Sequence, residues 1–366
     1  MRISGFGRYA ISLCVAAATL AGCGRPFDYA QGDNAGGSAD FTPLAVQRDA
    51  ALTIPHFVPP VVHSDRGQSF MRPDGKKSLL LYVGDWSTND VYVYDVPSGK
   101  EVGVLTGNDE PYGMCVDSKG NVYVANFGSG ELIEYAHGVA KPINTYDVGG
   151  ELIGCSVDTK GDVSATGFDP GEVTVYAGGN PQDGTTYSDS SCEYEWTAGY
   201  DSKDDLIGVG EYSSIDVCAL LAGSKTETTL TKSGITIDFP GGSSWDGKYI
   251  ALGDQQAGGK NQSGVWPSTL SGTTITAATS EVVFEQACDG DYSDIVNPFF
   301  LGKGFVPVIP GSTHRAKYMI GPNLWCVDSG YPGTGLWHYP SGKFFKTPKL
   351  SLPPSEPYGA AISWGR

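Results

Sequence analysis

Four aspartates recur at steps of 41, 43 and 45 residues: Asp117, Asp158, Asp201 and Asp246. Each stands in a turn between two β-rich runs: CVDSKGNVYVANF (Cys115–Phe127), SVDTKGDVSATGF (Ser156–Phe168), GYDSKDDLIGVGEY (Gly199–Tyr212) and SSWDGKYIALGDQ (Ser243–Gln255). A second marker closes the run that follows each turn. Its members are Asp85, Asn126, Gly167, Glu211 and Asp254, at steps of 41, 41, 44 and 43. Two markers keeping one period define a tandem array, whose units bury their apolar faces only against one another.

The best-preserved unit has room for four short strands. Tyr112–Asp117 leads through DSKG into Asn121–Ala125, FGSG turns into Glu131–Tyr135, and Ile143–Val148 follows. Turn residues fall where hairpins need them. Asn121–Ala125 is apolar on both alternating sets, as a strand covered on both faces must be. No long 3.6-residue periodicity follows the first 23 residues. Four strands in about 40–45 residues is the pattern of a β-propeller blade.

EPYGMCVDSKGNVYVANF (Glu110–Phe127) resembles an NHL repeat, with Asn126 where that family carries its last aspartate; Asp85 and Asp254 keep it in their own blades. The match is good for two blades and weakens through the rest. The resemblance implies an NHL-like six-bladed propeller, distantly similar to gluconolactonase-type hydrolases and to many non-enzymatic binding rings. A repeat of this kind specifies a fold, not a reaction.

The tetrapeptide EPYG returns at Glu356–Gly359, just before the chain ends. Blade 1 starts at LLLYVGDW (Leu79–Trp86), a second strand, and SFMRPDG before it makes a poor first strand because Pro73 removes a ladder hydrogen bond. EPYGAAISWGR has the form of an inner strand and is followed by nothing. The expectation is an all-β, six-bladed β-propeller closed by the C-terminal strand, since closure leaves no exposed edge. Inner strands are expected near Tyr112, Leu152, Tyr194, Pro240, Asp294 and Tyr358. Gly304–Asp328 is too long for its blade and is expected to hold an inserted loop around GSTHRAKY; counting it as a blade gives seven, the alternative.

The N-terminus carries a different signal. Arg2 and Arg8 precede an apolar run, Ala10–Leu20, too short for a membrane span of roughly 20 residues. Leu20-Ala21-Gly22-Cys23 resembles a bacterial lipobox. The expected division is a signal peptide at 1–22, a lipid anchor and tether at 23–77, and the propeller at 78–366. Cys23 is the expected lipidation site, and acylation there implies attachment to the bacterial cell envelope. Gly24 lacks the aspartate associated with inner-membrane retention, so in a double-membraned host the outer membrane is expected. The net charge of −17 offers no basic cluster for nucleic acid. Contact with a membrane would therefore come from the anchor alone. Six cysteines follow it (Cys115, Cys155, Cys192, Cys218, Cys288 and Cys326), and six allow 15 pairings.

In a propeller, the fourth-to-first and second-to-third connections open on one face. That face receives Glu110, Glu151 and Glu356, the first two lying seven residues before their turn aspartates. Converging hard oxygen ligands suit Ca²⁺. Asp85, Asn126, Glu211 and Asp254 reach the same face, followed by Trp86, Phe127, Phe168 and Tyr212. The acceptors are candidates for ligand contact or for turn capping. The aromatics are candidates for a ligand fringe or for packing between blades. The chain has no GxSxG, HExxH or P-loop motif, and its five histidines share no ligand spacing. The leading expectation is a monomeric ring that binds a protein, a glycan or a small ligand. The alternative is a metal-dependent lactonase-like hydrolase using carboxylates at the central channel.

Overall fold

The computed structural model describes residues 68–96, 98–259, 262–285, 299–312, 314–323, 333–346, 350–351, 354 and 357–365, all within the unit Pro59–Arg366. Cys23, Cys288, Cys326, Asp294 and Glu356 lie outside the described residues, as does the whole segment 1–67.

Among the described residues six sheets, antiparallel except for one outer pair in the fifth, form the six blades of a β-propeller, and the described part of Gly304–Asp328 gives its strand Tyr318–Asn323 to blade 6 instead of making a seventh. Blade 2 runs outward through Pro111–Val116, Val122–Asn126, Glu131–Tyr135 and Pro142–Asp147; blade 3 runs through Leu152–Val157, Val163–Gly167, Glu172–Tyr176 and Gly184–Tyr187. Blade 4 has an interrupted inner strand, Tyr194–Glu195 then Gly199–Tyr200, both paired to Leu206–Glu211. Blade 5 starts at Pro240–Trp245, and Thr231–Ser233 is added outside it, parallel to Thr274–Ala277. In blade 6 the inner strand among the described residues is Phe299–Leu301, which pairs with Tyr318–Asn323 across an insertion.

Blade 1 is closed by the chain end. Pro357–Ser363 is its innermost strand, paired antiparallel to Leu80–Asp85 from Leu80↔Ser363 to Asp85↔Pro357. Phe70–Met71 takes the opposite, outer edge, against Lys100–Leu105, so the sheet begins before residue 78. EPYG now has a physical reading. Pro111, Pro240 and Pro357 each begin an inner strand, where a missing N–H costs least. Gly359 packs so closely on the blade 2 inner strand that a Cβ there would collide with the carbonyl oxygen of Tyr112.

The turn aspartates explain the period. Asp117 Oδ1 accepts hydrogen bonds from the backbone N–H of Lys119 and Asn121, both 2.8 Å. Asp158 holds Lys160 and Asp162 at 2.8 Å. Asp201 holds Lys203 at 2.7 Å and Asp205 at 3.1 Å, and Asp246 holds Lys248 at 2.8 Å and Tyr249 at 2.7 Å. A short side-chain acceptor folding back on its own turn is what Asp supplies. The fourth residue of the turn is left-handed: Gly120 at φ 87° and Gly161 at φ 91°, with Asp204 at φ 67° in blade 4.

Two disulfides are present among the described residues. Cys115–Cys155 joins the inner strands of blades 2 and 3, and Cys192–Cys218 ties the approach to blade 4 to its third strand. Among the described residues no helix is long and apolar enough to cross a membrane.

Candidate functional site

The loop face is built by hairpin ends. The Glu110 carbonyl accepts from Phe127 N–H at 3.0 Å, and the Glu151 carbonyl accepts from Phe168 N–H at 2.7 Å, so the two glutamates occupy one structural position in successive blades. Glu110 is left-handed, at φ 55°, and its N–H donates to Asn89 Oδ1 at 2.9 Å. Both carboxyls are half-buried. Burial raises the pKa of Glu110, and Asp109 raises it further; burial raises that of Glu151, followed by Asp169 and then Glu110. The two glutamates therefore act on each other electrostatically. Among the described residues, no group of three or more His, Cys, Asp or Glu is placed to hold a metal ion.

The second-strand markers cap turns. Asp85 Oδ1 accepts from Ser87 N–H at 3.1 Å and from Ser87 Oγ at 2.8 Å. Asn126 Oδ1 accepts from Asp109 N–H at 3.0 Å, and its Nδ2 donates to the Glu131 carbonyl at 3.2 Å. Asp254 accepts from the N–H groups of Asp238, Phe239 and Gln256 at 2.9, 3.1 and 2.9 Å. All three are buried. Each locks the end of a second strand, and Asn126 and Asp254 tie it to the connection that enters the same blade. Glu211 is half-buried at the end of Leu206–Glu211, opposite Tyr194.

The aromatics pack mostly between blades. Trp86 lies 5.9 Å from Tyr112, 5.2 Å from Phe127 and 5.1 Å from Tyr358, and Tyr112 lies 5.1 Å from Tyr358. Phe127, Tyr112 and Tyr358 are buried in this cluster, which bridges blades 1 and 2. Phe168 continues the pattern against Tyr194 and Trp196, at 5.6 and 5.3 Å. Tyr212 stands apart, 63 % exposed, and Trp86 is half-exposed at the edge of its cluster.

The other end of the ring is covered. A cavity of about 40 Å³ is lined by the far ends of inner strands, among them Val116, Val157, Tyr200 and Trp245, and by Val308, Ile309 and Pro310 of the blade 6 insertion. The insertion is tied down by Val308 N–H to Phe300 O at 2.9 Å and by Ala316 N–H to Asp246 O at 2.8 Å. It reaches Thr159 in blade 3, 3.1 Å from where a Cβ on Gly311 would stand. The insertion was legible as extra length, but its role as a plug was not. Its signal was the apolar run FVPVIP inside a loop.

A larger crevice of about 250 Å³ opens between blades 3 and 4 on the plugged face, with Tyr187, Tyr200 and Leu220 among its walls. Three of its four lining carboxylates are already engaged. Asp158 caps its turn, Asp162 accepts from Gly178 N–H at 2.6 Å, and Asp204 binds Thr159 Oγ1 at 2.7 Å and Lys160 at 2.8 Å.

No family model matches the chain, and comparison with curated proteins gives no match. Solved structures do. One chain of a nidogen/laminin complex is 11 % identical with a TM-score of 0.53, covering 78 % of this chain and 98 % of its own. A protein of unknown function from Bacteroides caccae is 10 % identical with a TM-score of 0.53, covering 78 % and 99 %. A functionally unknown protein from Desulfotomaculum acetoxidans is 8 % identical with a TM-score of 0.50, covering 79 % and 100 %. At these identities the likeness is one of fold, and the fold is the six-bladed β-propeller.

Proposed function

We propose that this chain is an interaction module of a bacterial cell envelope, held by a lipid on Cys23 and presenting its loop face to a protein, glycan or small ligand. The reading rests on the difference between the two ends of the ring. One end is covered by Val308–Pro310, while the other carries Glu110, Glu151, half-exposed Trp86 and exposed Tyr212. Exposed Trp and Tyr side chains are enriched at recognition surfaces. A similar chain, seen in a complex of two proteins, lends support at the level of fold. The NHL-like segments fit the same use. Binding of the full chain to protein and glycan arrays tests the face. A variant combining Tyr212→Ala, Glu110→Gln and Glu151→Gln is expected to lose binding at least tenfold, and Lys160→Ala on the plugged face to keep it. The reverse pattern overturns the assignment.

The anchor has its own test. Cys23→Ser is expected to remove the lipidated mature form from the membrane fraction. Unchanged membrane association refutes lipid attachment.

The mutual repulsion of Glu110 and Glu151 favours one second reading, a Ca²⁺ at this mouth serving a lactonase-like hydrolase, with Glu356 as a third ligand. A hundredfold excess of Ca²⁺ over its Kd would then stabilise the fold by about 2.7 kcal/mol, and Glu110→Gln with Glu151→Gln would abolish the gain. A melting temperature unmoved by Ca²⁺, Mg²⁺, Zn²⁺ and EDTA removes both cation and hydrolase.

A further inference from the structure

Residues 295–366 hold seven Lys and Arg against two Asp and Glu, a net of +5, while the whole chain carries −17. Positive charge is thus segregated into the last part of the chain, and residues 295–327 contain no Asp or Glu at all. In the structure this part is blade 6 and the strand that closes blade 1. Lys303, His314, Arg315 and Lys317 stand exposed on the insertion, and Lys343 on the hairpin between Gly333–His338 and Phe344–Lys346. Both connections open on the plugged face. None of the five makes an ion pair among the described residues. The neighbouring acids are placed as follows: Asp246 is buried and accepts from Tyr339 Oη at 2.6 Å, and Asp95 of blade 1 caps the turn at Ser98. Glu285 borders the hairpin, its N–H donating to the Gly342 carbonyl at 2.8 Å.

The same end of blade 6 carries a group of rings. Phe305 stacks on Tyr318 at 5.1 Å, Tyr318 lies 5.3 Å from His338 and 5.5 Å from Phe345, and His338 lies 4.8 Å from Phe345. Phe305 and Tyr318 rest on the core shared by blades 6 and 1, so the rings form its solvent end. Phe305 holds its place at φ 61°, a left-handed backbone that bulky side chains rarely adopt. The turn that imposes it is closed by Gly302 N–H on the Val306 carbonyl at 2.8 Å, and it leaves Val306 45 % exposed. Phe345 is 40 % exposed. Two of the four exposed large hydrophobic side chains among the described residues therefore stand at this one corner. Neither cavity of the ring includes them, so the corner offers apolar tips to a surface rather than a pocket to a small molecule.

We propose that this corner docks the plugged face on a bilayer rich in anionic headgroups, with Val306 and Phe345 entering the headgroup layer and Lys303, Arg315, Lys317 and Lys343 meeting its phosphates. Apolar tips beside cations are what an interfacial contact uses, and each Lys or Arg near an anionic leaflet adds to the attraction. Charge decides the occupant. A second copy, itself at −17, is repelled at long range, whereas an anionic leaflet is attracted by this corner alone. Net charge by itself leaves the anchor as the chain's sole membrane contact; its segregation supplies another. The proposal deepens the envelope reading and rests on it, because the bilayer that holds Cys23 is the one within reach. With the plugged face down, the loop face points away from the membrane, where a partner is met.

The test is cosedimentation of the full chain carrying Cys23→Ser, which has no acyl chain, with vesicles of equal parts phosphatidylcholine and phosphatidylglycerol. The N-terminal segment contributes alike to this parent and to every variant, so their difference isolates blade 6. Lys303→Gln, Lys317→Gln and Lys343→Gln combined are expected to weaken binding about a hundredfold. Val306→Ser with Phe345→Ser is expected to weaken it as well, and added salt to release the parent. Lys160→Gln, on the same face but already paired with Asp204 at 2.8 Å, leaves binding unchanged. Tyr212→Ala leaves it unchanged too, so failure of the loop-face reading and failure of this one are told apart. Equal binding by the parent and the triple lysine variant overturns the proposal. So does self-association of the parent that the triple variant abolishes without vesicles, which would make the corner a contact between copies. Retention on polygalacturonate without binding to the vesicles overturns it in favour of an acidic glycan.

Discussion

Deleting Pro357–Arg366 abolishes cooperative unfolding and yields a chain that aggregates. All seven residues of Pro357–Ser363 are buried. They pair along the whole of Leu80–Asp85 and pack against the inner strand of blade 2 and the second strand of blade 6. The strand is pinned at its end, where Ser363 Oγ donates to the Gly120 carbonyl at 2.5 Å and lies 2.8 Å from His137 Nδ1. Removal bares Leu80–Asp85, an apolar edge free to pair with other chains. Phe70–Met71 cannot take its place, being already on the outer edge of the same blade. The loss is on the order of the net stability of a domain, about 5–15 kcal/mol. Denaturant unfolding followed by circular dichroism, together with sedimentation, tests it. A truncated chain that stays monomeric and unfolds like the full one shows that another segment closes the ring.

Replacing Cys115 and Cys155 together by alanine is expected to cost about 4 kcal/mol. The two cysteines are 40 residues apart, and the chain-entropy model places a loop of that size between about 3 and 4.7 kcal/mol. The bridge also joins neighbouring inner strands, where blades 2 and 3 meet around the plugged cavity. Calorimetry of the parent and the double variant measures the cost. A difference below about 1 kcal/mol means that packing alone holds this seam.

The blade period was legible because every blade solves the same local problem. A turn aspartate must reach N–H groups two to four residues on, and its left-handed partner must be glycine or a tolerant residue such as Asp204. Such requirements recur at a fixed spacing, so they show in sequence as Asp117, Asp158, Asp201 and Asp246. The repeated EPYG revealed ring closure in the same way, since Pro111 and Pro357 open equivalent strands. Glu110 and Glu151 share the one repeat position at which their spacing put them, each accepting from the N–H of the aromatic residue after the second strand. Sequence could not tell that Asp85, Asn126 and Asp254 are buried caps, because capping and ligand binding ask for the same short acceptors.

By itself, then, the sequence determined the blade pattern, the closing strand and the face on which Glu110 and Glu151 stand, because turn chemistry and strand alternation act over a few residues. Tertiary structure alone decided the pairing of Cys115 with Cys155, the plug made by Val308–Pro310, and the meeting of Phe305, Tyr318 and Phe345 at one corner of blade 6. These depend on how separate strands and blades meet in space. Two side chains brought together by packing carry no shared spacing in the chain, so no periodicity records them.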